Sequence, residues 1–260
     1  MTDTDIGGPG LAASLVLVAV ALGLSRLQGL RLEGAILWAS LRAAIQLVLV
    51  GWALRLVLDP GQPLVWAFAW VLAMVVFAAS TVRRRAPEVP SVFGLALVAT
   101  AAVGVVSLGA VFGLGIFPLE GRTLVPLAGM MIGNSMTSTV VAARRVVGEL
   151  RDKRAEVEAR LALGHPWPVA ARPYVREALR TAIIPQVEST KAVGLVFLPG
   201  AMTGLILAGV DAADAVVVQL AIMYLILGSV ATSVTVIGVG LTRRLFTPDH
   251  RLVRLERPAA

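Results

Sequence analysis

The sequence predicts an all-α polytopic membrane protein with about seven transmembrane helices and a cytoplasmic helical hairpin. Three observations predict it. Of the 260 residues, 57% are hydrophobic and only 15% are charged, against about 45–50% and about 25% in soluble domains. The mean hydropathy is +0.84, more apolar than a soluble globule of this size can bury. Apolar runs near the roughly 20 residues that cross a bilayer recur along the chain, and basic residues gather in alternate loops between them. Cysteine is absent, which excludes disulfides, thiolate metal sites and cysteine nucleophiles.

Taken in order, the expected spans are 11–25, 35–58, 64–82, 92–112, 124–147, 192–208 and 213–241. The first is short, and the sixth contains Pro199. Asp3 and Asp5 precede the first run without a Lys or Arg, unlike the basic start of a secretory signal. Arg26 and Arg31 follow span one, Arg83, Arg84 and Arg85 follow span three, and Arg243 and Arg244 follow span seven. Between spans five and six lie Arg144, Arg145, Arg151, Lys153, Arg154, Arg160, Arg172, Arg176 and Arg180. The opposite loops hold Arg55 and Arg122 beside Asp59, Glu120, Asp211 and Asp214. The positive-inside rule then places the N-terminus outside and the C-terminus in the cytoplasm of a plasma or inner membrane. The net charge of +7 is therefore topological, and no nucleic-acid partner is expected.

The loop at 144–189 is far longer than an ordinary connection. Its first half reads as a continuation of span five. Val147, Leu150, Val157 and Leu161 recur at helical spacing, and Glu149/Lys153 and Glu156/Arg160 are i,i+4 pairs. An unbroken helix over 124–163 would be about 60 Å long. Gly164 would end it, His165-Pro166-Trp167-Pro168 would turn the corner, and a second helix over 169–184 would end at Pro185. Arg172, Arg176 and Arg180 form one stripe on that second helix, facing either lipid headgroups or a soluble partner. The whole chain, 1–260, reads as one transmembrane domain with 144–189 as an excursion from it.

Polar groups at bilayer depth are costly and are the candidates for function. Arg42 and Gln46 lie one turn apart in span two, and Asn134, Ser135 and Met136 open the most polar stretch of span five. Gly129-x-x-x-Gly133 allows close helix approach there. Glu188 stands three residues before Lys191, compatible with a local ion pair, and Met202-Thr203 follows Pro199-Gly200. Each has a structural alternative: a snorkelling Arg42, hydroxyls and amides bonding between helices, a kinked helix at Pro199. The metal ligands, if any, stay unidentified. The only histidines, His165 and His250, lie outside the spans, and Asp211 and Asp214 in an outer loop. An intramembrane Ser–His or aspartyl protease is thereby excluded.

Two sets of motifs carry a resemblance. Glu158-Ala159 followed by Ala162-Leu163-Gly164 resembles the coupling loop of ABC transporter permeases. The run Gly129-Met130-Met131-Ile132-Gly133-Asn134-Ser135-Met136-Thr137 belongs to a second set. It continues through the 149–164 helix, the 178–185 segment, Val193-Gly194-Leu195 and Pro199-Gly200-Ala201-Met202-Thr203-Gly204. Together these resemble the FetB-type iron-export ABC permeases, a family that includes plant proteins of aluminium tolerance. The resemblance implies a homodimeric permease working with a separate ABC ATPase subunit. That partner would carry ATP and Mg, with no cofactor bound by this chain and iron or another metal ion as cargo. It also implies coupling through Glu149, Lys153, Glu156, Glu158, Gly164 and Trp167, and a translocation path near Arg42, Gln46, Asn134, Ser135, Met136, Glu188, Met202 and Thr203. No phosphate-loop pattern is present, and Lys153 and Lys191 are the only lysines, so this chain is not expected to be the enzyme. The alternatives are a stand-alone secondary carrier or channel and an ABC permease for an organic cargo.

Overall fold

The structure, a computed structural model, describes residues 8–57 and 61–254. The chain divides into two compact units, Met1–Gln62 and Pro63–Ala260. In the N-terminal unit, α1 (Gly8–Leu27) and α2 (Glu33–Val57) pack together. Their connection is short because Gly29 takes a positive φ of 63°, and Ser25 holds both ends of it. The Ser25 hydroxyl donates to Glu33 Oε1 at 2.8 Å and accepts from the Leu32 amide at 3.1 Å.

The second unit contains α3 (Leu64–Arg85), α4 (Val92–Gly113), α5 (Gly121–Asp152), α6 (Arg154–Ala162), α7 (Trp167–Ala192), α8 (Gly200–Leu207) and α9 (Ala212–Leu245). Helices α5 and α9 form its centre. The α3 helix packs on α5, α4 on α3 and α9, and α7 on both α5 and α9. The core is made of small and branched residues such as Ala142, Ala143, Val146, Val230, Val234 and Ile237, which lets long helices approach closely. Within α4 one wide π turn, Gly104–Leu108, interrupts the α pattern. There Ser107 and Ser229 share a 2.6 Å hydrogen bond, the one buried side-chain link between α4 and α9 among the described residues.

The all-α membrane architecture follows the sequence, with differences in four places. Helices α2, α3, α4, α5 and α9 are long and apolar enough to cross a membrane, and α1 contains a shorter apolar stretch, Ala13–Leu27. The expected sixth span is not a continuous helix: the chain leaves helical geometry after Ala192 and re-enters it at Gly200. The expected unbroken helix over 124–163 ends at Asp152, because Lys153 takes φ −100°, ψ 21° and α6 starts after it at Arg154. Pro185 does not close the second helix. The α7 helix passes through both Pro173 and Pro185 and runs on to Ala192. Packing of Ala170, Ala171, Ala178 and Ala182 against the central helices offsets the missing amide donors. Finally, of the Gly129-x-x-x-Gly133 pair only Gly129 faces a neighbouring helix, its Cα hydrogen pointing at Met74 of α3, while Gly133 faces open space.

Candidate functional site

The polar run of α5 divides between two faces of the helix. Ser135 and Thr139 are fully buried, and each hydroxyl donates to the carbonyl one turn earlier, Met131 at 2.6 Å and Ser135 at 2.7 Å. Back-bonding of this kind satisfies a hydroxyl inside a helix pack without a cross-helix partner. On the other face Gly133, Asn134 and Thr137 are exposed, with Met136 half-buried beside them. Asn134 Nδ2 donates to the Met130 carbonyl at 2.7 Å, leaving Oδ1 without a partner among the described residues. An unpaired amide oxygen facing hydrocarbon costs several kcal/mol, on the order of 2–7. This face therefore belongs against protein or water and not against lipid tails.

The break between α7 and α8 is the second unusual feature. Gly194 has φ +85°, and the segment is held by the turn bonds Val196 N to Ala192 O and Gly194 N to Phe197 O, each 3.0 Å. Leu195 is 93% exposed. At the far side of the break α8 restarts after Pro199, and buried Gln219 of α9 accepts from the Met202 amide at 3.2 Å. Gln219 thus supplies an acceptor to one of the orphan amides at the start of α8. Thr203 is exposed and bonds the Pro199 carbonyl at 3.2 Å. Glu188 and Lys191 form the anticipated ion pair at 2.9 Å on the exposed side of α7.

The residues expected to couple lie on or beside α5, α6 and α7. Gly164, at φ +86°, closes α6 with the bonds Gly164 N to Leu161 O and His165 N to Arg160 O, the paired C-terminal pattern that requires a left-handed residue. Lys153 pairs with Glu156 at 2.9 Å instead of with Glu149, and Arg160 lies over the Tyr174 ring instead of on Glu156. The Lys153 amide still bonds the Glu149 carbonyl at 2.9 Å, so the two residues stand one helical turn apart while the Lys153 side chain turns to Glu156. Glu156 also accepts from the Tyr174 hydroxyl at 3.0 Å, tying α6 to α7. The bonds from Lys153 and Tyr174 hold the Glu156 carboxyl below its ordinary range, and the Glu156 bond raises Lys153. Glu158 pairs with Arg154 at 2.7 Å, and Glu149 is half-buried on α5. Trp167 stacks on Phe246 at 5.5 Å and its amide donates to His250 Nδ1 at 3.3 Å.

The six residues expected to couple thus run from the end of α5 through α6 to the start of α7, and of their side chains only those of Lys153 and Glu156 bond each other. The residues expected to line a translocation path are spread over α2, α5, α7 and α8, with Arg42 and Gln46 one turn apart on α2 in the N-terminal unit. Among the described residues no side-chain hydrogen bond joins one member of that set to another, and no three His, Asp or Glu side chains cluster as a metal cage. What the open face of α5 offers is an amide oxygen, hydroxyls and thioethers, a mixed set of hard and soft donors. Sequence reasoning missed Gln219, the Ser107–Ser229 pair and the Glu88–Arg144 ion pair that fastens the α3–α4 connection to α5. A lone Gln in an otherwise apolar span was the signal available for the first. It also missed residues 246–253, whose Leu252 and Val253 carbonyls accept from Arg154 at 3.1 and 3.2 Å.

The family model described as "Uncharacterised protein family (UPF0014)" matches residues 9–246. The rice "UPF0014 membrane protein STAR2" (Oryza sativa subsp. japonica) is 34% identical over 90% of this chain and 85% of its own length. "Protein ALUMINUM SENSITIVE 3" of Arabidopsis thaliana is 34% identical over 85% and 81%. The "Probable iron export permease protein FetB" of Escherichia coli (strain K12) is 31% identical over 97% of each chain. No solved structure matches. With its helices, its polar face and its hairpin corner all inside the matched region, the chain belongs to the UPF0014 family of all-α membrane proteins.

Proposed function

We propose that the chain is the membrane permease subunit of an ABC exporter for a metal ion, with iron the first candidate cargo, powered by ATP hydrolysed on a separate subunit. The observation that carries this reading is likeness to FetB along 97% of both chains, so that the polar face and the hairpin corner both lie inside it. In this reading two copies of the chain face each other across the Asn134/Thr137 side of α5, which hydrocarbon disfavours. The α6 helix and its Gly164 turn dock on the ATPase, and closure of the ATPase moves α5 through the Lys153 joint. Cargo passes by way of amide and hydroxyl oxygens as a transient substrate. In this reading the hairpin and the basic loops lie in the cytoplasm, with the N-terminus outside and the C-terminus within, as the positive-inside rule supports. The test is to purify the chain with its ABC ATPase and measure ATP hydrolysis in lipid against a panel of metal ions. Stimulation by ferrous or ferric iron is expected, absent with the ATPase alone and lost together with the complex in Gly164→Trp. A complex whose hydrolysis ignores metals would point to an organic cargo. Failure to form any complex would favour a stand-alone carrier or channel.

A further inference from the structure

Between α7 and α9, beside the stacked Trp167–Phe246 pair, lies a groove of about 580 Å³. Its floor is apolar, formed by Val175 and Leu179 of α7 and Val239 of α9. Its rim carries three guanidiniums: Arg172 and Arg176, one turn apart on α7, and Arg243 on α9. Elsewhere Lys153 is engaged by Glu156, Arg154 by Glu158 and Arg244 by the Ser91 carbonyl. The three rim arginines have no carboxylate partner among the described residues. Like charges so placed repel each other unless an anion sits between them. The floor asks for the opposite chemistry. Val239 lies on the last turns of a helix long and apolar enough to span a membrane, one turn before Arg243, so a bilayer crossed by that helix would bring acyl chains to the floor and headgroups to the rim. Inorganic phosphate would satisfy the rim and leave the floor wet. An acidic protein surface would do the same.

We propose that the Arg172/Arg176/Arg243 groove is a binding site for one anionic phospholipid, its phosphate held by the three guanidiniums and an acyl chain laid over Val175, Leu179 and Val239. Arg180, the third member of the stripe on α7, is not part of the groove, and so serves as the control.

The test uses the full chain, delipidated in neutral detergent and titrated with palmitoyl-oleoyl phosphatidylglycerol or the matching phosphatidylcholine, bound lipid being read by native mass spectrometry. At roughly fivefold per arginine, the anionic lipid should bind on the order of a hundredfold more tightly. Each of Arg172→Gln, Arg176→Gln and Arg243→Gln should lower that preference about fivefold, and Arg180→Gln should leave it unchanged. Val239→Trp, at an already exposed position, should expel the lipid with all three arginines intact. Equal retention of the two lipids, or an unchanged preference in the arginine variants, would overturn the proposal. So would full displacement by millimolar inorganic phosphate, which would make the groove a phosphate site. Arginine variants that lose a bound ATPase but keep their lipid would make it a protein-docking site.

Discussion

Two glycines of α9 show how single residues set the packing of this molecule. A Cβ at Gly238 would collide with the methyl groups of Leu179 on α7, and one at Gly240 would collide with Leu95 on α4. Two positions apart on a helix, they point to nearly opposite sides, so the missing side chains let α9 accept a helix on each flank. Gly238→Ala should therefore destabilise the protein by about 1–3 kcal/mol, the usual range for overpacking. Leu179→Ala in the same chain should recover more than half of that loss. Thermal unfolding of the purified protein in detergent would show it, and an unchanged midpoint in the single variant would mean that Leu179 yields without strain. Neither glycine stood out in the sequence, where they sit in an ordinary apolar span. The polar run at 133–139 did stand out, but its division into a buried Ser135/Thr139 side and an open Asn134/Thr137 side depends on which way α5 faces its neighbours.

At the scale of elements, the joint between α6 and α7 rests on polar contacts. Glu156 bridges Lys153 and Tyr174, and both bonds favour its ionised form. A carboxylate whose folded value is depressed stabilises the fold fully above its unfolded value, about 4.3, and loses that contribution as pH falls through the lower folded one. The raised Lys153 acts in the other direction, contributing below its ordinary value and fading as pH rises through the higher folded one. Hydrogen-exchange protection of α6, compared between wild type and Glu156→Gln at matched pH, should differ near neutrality and converge once the carboxylate is protonated. Equal protection at every pH would show that the bridge holds nothing. The sequence made the Gly164 stop and the turn at His165-Pro166 legible, because glycine and proline act locally, although α7 starts at Trp167 and not at 169. It did not reveal the break at Lys153 or the persistence of α7 through Pro185. Both are settled by what the helices pack against, and local pattern carries no record of that.

For the whole molecule, the composition and the loop charges were enough to read an all-α membrane protein, and the break at 193–199 is the main architectural departure. Non-helical backbone at membrane depth survives only where protein or water satisfies it. The chain has no native cysteine, so single substitutions report cleanly. Leu195→Cys in the assembled protein should react with a hydrophilic methanethiosulfonate reagent, whereas Val217→Cys, exposed on α9, should be silent. Reaction at neither position would place the break against another protein surface and remove it from any aqueous path. The wide turn at Gly104–Leu108 has a consequence of the same global kind. Taking up one extra residue there offsets everything downstream by about 100° of helix rotation. That offset allows a single rod to present Thr100 toward α3, Ser107 toward α9 and Val111 to the interior. Straightening it would turn Val111 outward and part the two serines. The protein has thus traded one regular turn of α4 for the ability to seat both of its flanks at once.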